Sequence, residues 1–187
     1  MSAVLSFLLI FLAEMGDKSQ LVCMTLAAKH KPKPVFFGAL LAFMLLNAIA
    51  VVFAGTLATV LPMNVITAVA ALLFTVFGLH SLLSSEEGDE DVKAKVTKGI
   101  FFSALLLIFV AELGDKTQLA IATLSITQPP MTIWLTSTLA LALTTALGVF
   151  AGQKLLTKIS TNTLHRVSGM LFLLFALFAW IEFFRLW

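Results

Sequence analysis

Hydrophobic positions run along this chain in long unbroken stretches, and polar positions collect in short clusters between them. The apolar segments cover residues 2–28, 35–60, 65–83, 99–126, 131–156 and 164–186. Their separators are rich in proline or charge: Lys29-His-Lys-Pro-Lys-Pro34, Leu61-Pro-Met-Asn64, the charged run 86–98, Thr127-Gln-Pro-Pro130 and the polar run 157–163. None of the segments alternates with the period-two pattern of a barrel strand, and each is long enough to cross a bilayer as a helix, which takes about 20 residues. The pattern predicts an all-α membrane protein of six transmembrane helices. Several segments exceed the minimum length, which leaves room for tilt or a break.

The segments repeat. Ala13-Glu-Met-Gly-Asp-Lys-Ser-Gln-Leu21 returns as Ala111-Glu-Leu-Gly-Asp-Lys-Thr-Gln-Leu119, an offset of 98 residues. The same offset aligns Thr25-Leu26 with Thr123-Leu124, Asn64 with Asn162, and Leu73-Phe74 with Leu171-Phe172. One residue of slippage matches Val52-Phe-Ala-Gly55 to Val149-Phe-Ala-Gly152. The domain reading is therefore a first three-helix repeat over 1–84, a charged linker over 85–98 and a second three-helix repeat over 99–187. Three spans per half is an odd number, so the halves enter the membrane in opposite senses, and inverted repeats place a shared site at their interface near the midplane.

Composition agrees with this. Apolar residues make up 60% of the 187 and charged residues only 12%, against about 45–50% and 25% in soluble domains. An apolar N-terminus could be a signal peptide, but it lacks a basic lead and carries acids where cleavage would fall, so it reads as a retained span. The lone Cys23 excludes an internal disulfide. Loop charge sets the expected orientation: Lys29, Lys31, Lys33, Lys93, Lys95, Lys98, Lys154, Lys158 and Arg166 fall on one side, and only Arg185 on the other. By the positive-inside rule both termini lie outside and the acidic linker is cytoplasmic.

Against that background the motif acids are conspicuous. Glu14, Asp17, Lys18, Glu112, Asp115 and Lys116 lie near the centres of the first and fourth segments. Each charge costs roughly 2.5–3.5 kcal/mol at a helix centre, on the order of 15–20 kcal/mol for all six if unpaired. On an ideal helix Glu14, Asp17 and Lys18 share a face, as do Glu112, Asp115 and Lys116. If the two faces meet, four carboxylates converge as hard oxygen ligands for Ca²⁺, Mg²⁺ or Mn²⁺. Gln20, Gln118, Ser19 and Thr117 can add neutral oxygens. Gly16 and Gly114, between the paired acids, predict a kink or short unwinding whose freed carbonyls can join the site. Four carboxylates and two ammonium groups sum to −2, which one divalent cation or two protons neutralise equally. That is the electrostatic basis of an antiporter. Lys18 either pairs with Glu14 within its own helix or reaches the acids of the other half. Asn47, Thr144 and Thr145 occupy comparable mid-span positions and read as pathway residues or interhelical hydrogen bonders.

The duplicated Glu-x-Gly-Asp-Lys-(Ser/Thr) resembles the signature of the small six-span cation/proton antiporters, which include bacterial manganese exporters and eukaryotic Golgi and chloroplast Ca²⁺/Mn²⁺ transporters. The resemblance covers essentially the whole chain. It implies export of Mn²⁺, or of Ca²⁺, across the bacterial inner membrane against protons. It places Glu14, Asp17, Glu112 and Asp115 at the site, with Lys18, Ser19, Lys116 and Thr117 completing the motif. A passive cation or proton channel and an amino-acid exporter of related architecture are the alternatives. An enzyme is not expected, since no Ser/His or HExxH arrangement is present. No cofactor is implied beyond the transported ion, and the expected partners are the lipid bilayer and a divalent metal ion, not nucleic acid.

Overall fold

The computed structural model describes residues 3–83, 99–151 and 161–185. The linker 85–98 and the loop lysines Lys154 and Lys158 lie outside the described residues, as do the termini. Among the described residues every regular element is helical. They are α1 (Ala3–Glu14), α2 (Lys18–Lys29), α3 (Pro32–Val60), α4 (Met63–Leu83), α5 (Ile100–Glu112), α6 (Lys116–Thr127), α7 (Pro130–Ala146), continued by a π turn over Leu147–Ala151, and α8 (Thr161–Arg185).

Among the described residues three helical stretches, Pro32–Val60, Met63–His80 and Pro130–Phe150, are long and apolar enough to cross a membrane. The first and fourth predicted spans are each divided in two. Their apolar leading halves, α1 and α5, have 12 and 13 residues, well short of the roughly 20 that a bilayer requires. The shared helical face expected for Glu14, Asp17 and Lys18, and for its second-half copy, therefore does not form. The acid and the Asp-Lys pair stand on opposite sides of a helix break.

Helix starts follow local chemistry. Pro32 and Pro130 open α3 and α7, positions where the missing N–H costs nothing and φ is already helical. Along α3 the buried positions are Val35, Gly38, Ala39, Ala42, Phe43, Leu46, Asn47, Ala50 and Ala54, a stripe dominated by small residues. The large apolar residues Phe37, Leu45, Ile49, Val52 and Phe53 face outward. In water this arrangement would be inverted. In lipid, tails solvate the outer Leu and Phe while small residues let helix backbones approach.

The close approaches are explicit. A Cβ on Gly38 would come within 2.3 Å of the Phe101 carbonyl oxygen, so α3 and α5 are in backbone contact. α4 and α8 pack along each other, with Gly78 against Leu173 and Gly169 against Leu82. Phe74 and Phe77 meet Phe172 and Phe175 in the same interface, and the Trp180 indole donates to Thr75 at 3.3 Å. α1 packs on α7 and α5 packs on α3. In the repeat expected from sequence these two contacts correspond, α1 and α5 each meeting the long second helix of the other half.

Candidate metal centre

Each motif copy builds its break the same way. α1 stops at Glu14, and the Asp17 amide donates to the Glu14 carbonyl at 3.1 Å; α5 stops at Glu112, and the Asp115 amide donates to the Glu112 carbonyl at 3.2 Å. Gly16 and Gly114 both sit at φ +82°, a left-handed conformation costing other L-residues about 1–2 kcal/mol. The new helices start at once, with the Leu21 amide on the Asp17 carbonyl and the Leu119 amide on the Asp115 carbonyl, both at 3.2 Å. Asp115 caps α6, its side chain accepting from the Thr117 amide at 3.5 Å. The unwinding expected at the two glycines is thus present. Two helix C-terminal ends and two N-terminal ends face one centre, offering partial charges of both signs.

The two halves interlock there. Carboxylate oxygens of Glu14, Glu112 and Asp115 all lie within 4.8 Å of one another. Glu14 is 1% exposed and Glu112 5%. The Thr117 hydroxyl donates to Glu14 Oε1 at 2.8 Å, across the halves. The Ser19 hydroxyl donates to Glu14 Oε2 at 3.4 Å, within its own half. Lys116 forms a salt bridge with Asp17, again across the halves. Of the two pairings open to these lysines, Lys116 takes the one to the opposite half; the Lys18 side chain lies outside the described part of the structure.

Magnitudes decide what the cluster needs. Two carboxylates at this separation repel by about 3–4 kcal/mol at an effective dielectric near 20. Three such pairs exceed what two hydroxyl donors offset, at about 1.5–3 kcal/mol each for bonds to charged groups. The Lys116 ammonium, held at Asp17, offsets part of the remainder, and a bound cation or protons can offset what is left. Oxygens on opposite sides of a Ca²⁺ ion stand about 4.6–5.2 Å apart, and a smaller divalent ion needs a modest contraction.

The other residues singled out by sequence are distributed unevenly. Gln20 is buried and both ends of its carboxamide are engaged, Oε1 by the Gly16 amide at 2.7 Å and Nε2 by the Thr144 carbonyl at 2.8 Å. Gln118 is half-buried and, among the described residues, its side chain has no hydrogen-bond partner. Asn47 is fully buried and donates to Thr138 at 3.0 Å, an interhelical bond. The Thr144 and Thr145 hydroxyls instead fold back onto the Leu141 carbonyl of their own helix. Ser19 and Thr117 stand out in the sequence as added oxygens, yet in the structure they donate to a carboxylate. Thr138 carries no mark in the sequence beyond being a polar residue in an apolar run.

Comparison with known proteins bears on this geometry. The sequence profile of the family described as "Divalent cation/proton antiporter GDT1" matches residues 2–89 and 100–186. A Vibrio cholerae protein named "Putative manganese exporter" is 30% identical over 177 residues, covering 92% of this chain and 87% of its own. "Protein PAM71, chloroplastic" of Arabidopsis thaliana is 31% identical over 202 residues, covering 91% of this chain and 54% of that protein. "GDT1-like protein 4" of Oryza sativa subsp. indica is 25% identical over 197 residues, covering 92% and 70%. No solved structure matches the chain.

Proposed function

The chain belongs to the divalent cation/proton antiporter family GDT1, and from that premise we propose that it exports Mn²⁺ from the bacterial cytoplasm in exchange for protons. Ca²⁺ is the second ion the same oxygen set can take. The observation that carries this reading is the meeting of Glu14, Glu112 and Asp115 within 4.8 Å; Asp17, salt-bridged to Lys116, is proposed to join them. Hard carboxylate oxygens without imidazole or thiolate favour Mn²⁺, Ca²⁺ or Mg²⁺ over zinc or copper.

The proposed exchange follows from charge. Four acids and two lysines carry −2, so the site is neutral with one divalent ion or with two protons, and empty transit costs the most. Metal entering from the cytoplasm releases protons from the carboxylates; protons arriving from outside release the metal. Lys116 moves with this cycle, paired to Asp17 when the metal is away and displaced when Asp17 turns to the ion. Gln20 and Gln118 are proposed to approach the same centre, and Asn47, Thr144 and Thr145 to lie along the route to it. In this reading the repeats 1–84 and 99–187 are inverted in the inner membrane with both termini outside. Support comes from the one-sided loop charge and from α1 on α7 and α5 on α3 as exchanged copies of one contact.

Uptake of Mn²⁺, Ca²⁺ and Mg²⁺ into proteoliposomes, with and without an imposed pH gradient, tests the reading. Saturable Mn²⁺ or Ca²⁺ movement that follows the gradient and disappears in Glu14→Gln and Glu112→Gln is expected. Ohmic, unsaturating flux indifferent to the gradient would indicate a passive channel and overturn it.

A further inference from the structure

The two motif copies have nearly the same sequence, yet their glutamines do different things. Gln20 stands on the first turn of α2, 3% exposed, joining the Gly16 amide of its own break to the Thr144 carbonyl of α7. The contact is close-packed. A Cβ on Gly148, in the π turn that follows, would come within 2.9 Å of Gln20 Cγ and 3.2 Å of the Gln20 carbonyl oxygen. The Thr144 carbonyl also shares the Leu147 amide with Leu143 where α7 gives way to the π turn, and π turns gather at functional positions. Gln118 makes no comparable bond among the described residues and is only half-buried.

Building on the antiporter reading, we infer that Gln20 is a positioning residue that latches the first motif break onto α7, and that Gln118 makes the reciprocal latch onto α3 in the alternate conformation. The offset of 98 residues that pairs the halves matches Thr144 with Leu46, so the Leu46 carbonyl is the acceptor for Gln118. α6 already packs against α3, the helix that carries Leu46. One latch made and one open is a difference between like halves that biases an exchanging protein to one face at a time.

Cys23 reports on the latch. It is the chain's only cysteine, it is buried, and it lies three residues beyond Gln20 on the same face of α2. The experiment measures the rate of maleimide labelling of Cys23 in the purified full chain, with Mn²⁺ uptake followed in parallel. Gln20→Ala is expected to speed labelling by roughly tenfold, on the scale of one or two lost hydrogen bonds. Gln20→Glu keeps the acceptor for Gly16 but lacks the donor to Thr144; it is expected to speed labelling too, and it carries the test if Gln20→Ala does not fold. Gln118→Ala is expected to label no faster than the parent. Unchanged labelling in both Gln20 variants, or equal acceleration in Gln118→Ala, overturns the latch. Uptake lost in Gln20→Ala with Cys23 still protected means that Gln20 acts on transport without holding α2 to α7 and also overturns the latch. A parent that labels as expected but moves no metal overturns the antiporter reading while leaving the latch standing.

Discussion

Gly114 sits at φ +82° with nothing within 4 Å of where a Cβ would stand, so what it supplies is backbone conformation and not space. Gly114→Ala is expected to lower stability by about 1–2 kcal/mol, the cost of a left-handed L-residue, read from thermal unfolding in detergent. Thr117 presents a different dependence, because its hydroxyl holds Glu14 from the opposite half at 2.8 Å. Thr117→Val should leave the fold intact and weaken Mn²⁺ binding by roughly 10–100-fold, the usual effect of losing a group that orients a ligand. Lys116→Gln removes the partner of Asp17 and makes the centre more negative. A lower KM for Mn²⁺ with a lower maximal rate is the expected result of uptake kinetics, since the ion then enters readily and leaves slowly. That Glu14, Glu112 and Asp115 come together was legible from sequence, because charge in an apolar run is costly, whereas the pairing of Asp17 with Lys116 of the other motif copy was one of two options left open. The donor role of Ser19 and Thr117 was not legible, because it depends on which half each hydroxyl faces.

Among elements, the breaks between α1 and α2 and between α5 and α6 define the centre. Their presence was legible, since glycine between two charged residues inside an apolar run has few other uses. Their form was not. An unbroken helix would put Glu14 and Asp17 on one face, whereas the observed turn ends one helix at the first acid and starts the next just after the second. The contact of Gln20 with the Thr144 carbonyl left no trace in sequence, because any residue supplies a carbonyl. Helix spacing sets how these ends meet. At Gly38 an added Cβ would lie 2.3 Å from the Phe101 carbonyl oxygen, so Gly38→Ala must push α3 from α5. A loss of about 1–3 kcal/mol, typical of overpacking, is expected in thermal unfolding, with impaired transport despite the distance in sequence from the acids.

For the whole molecule, the outward-facing Phe, Leu and Val of α3, α4 and α8 and the small-residue interfaces behind them describe a protein solvated by lipid. The centre lies where the two halves interlock, and neither half has all the groups that hold it: Glu14 depends on Thr117, and Asp17 on Lys116. In the proposed exchange proton and metal compete there for the same oxygens, so metal affinity is expected to rise with pH. If two protons leave for each ion bound, the apparent Mn²⁺ dissociation constant should fall by up to roughly 100-fold per pH unit while both are being displaced. The most direct measurement of a shared centre is calorimetric titration of the purified protein with Mn²⁺, comparing the parent with Glu14→Gln and Glu112→Gln. One ion per chain in the parent and none in either variant is expected. Two ions per chain, with each variant keeping one, would contradict a single centre built by both halves.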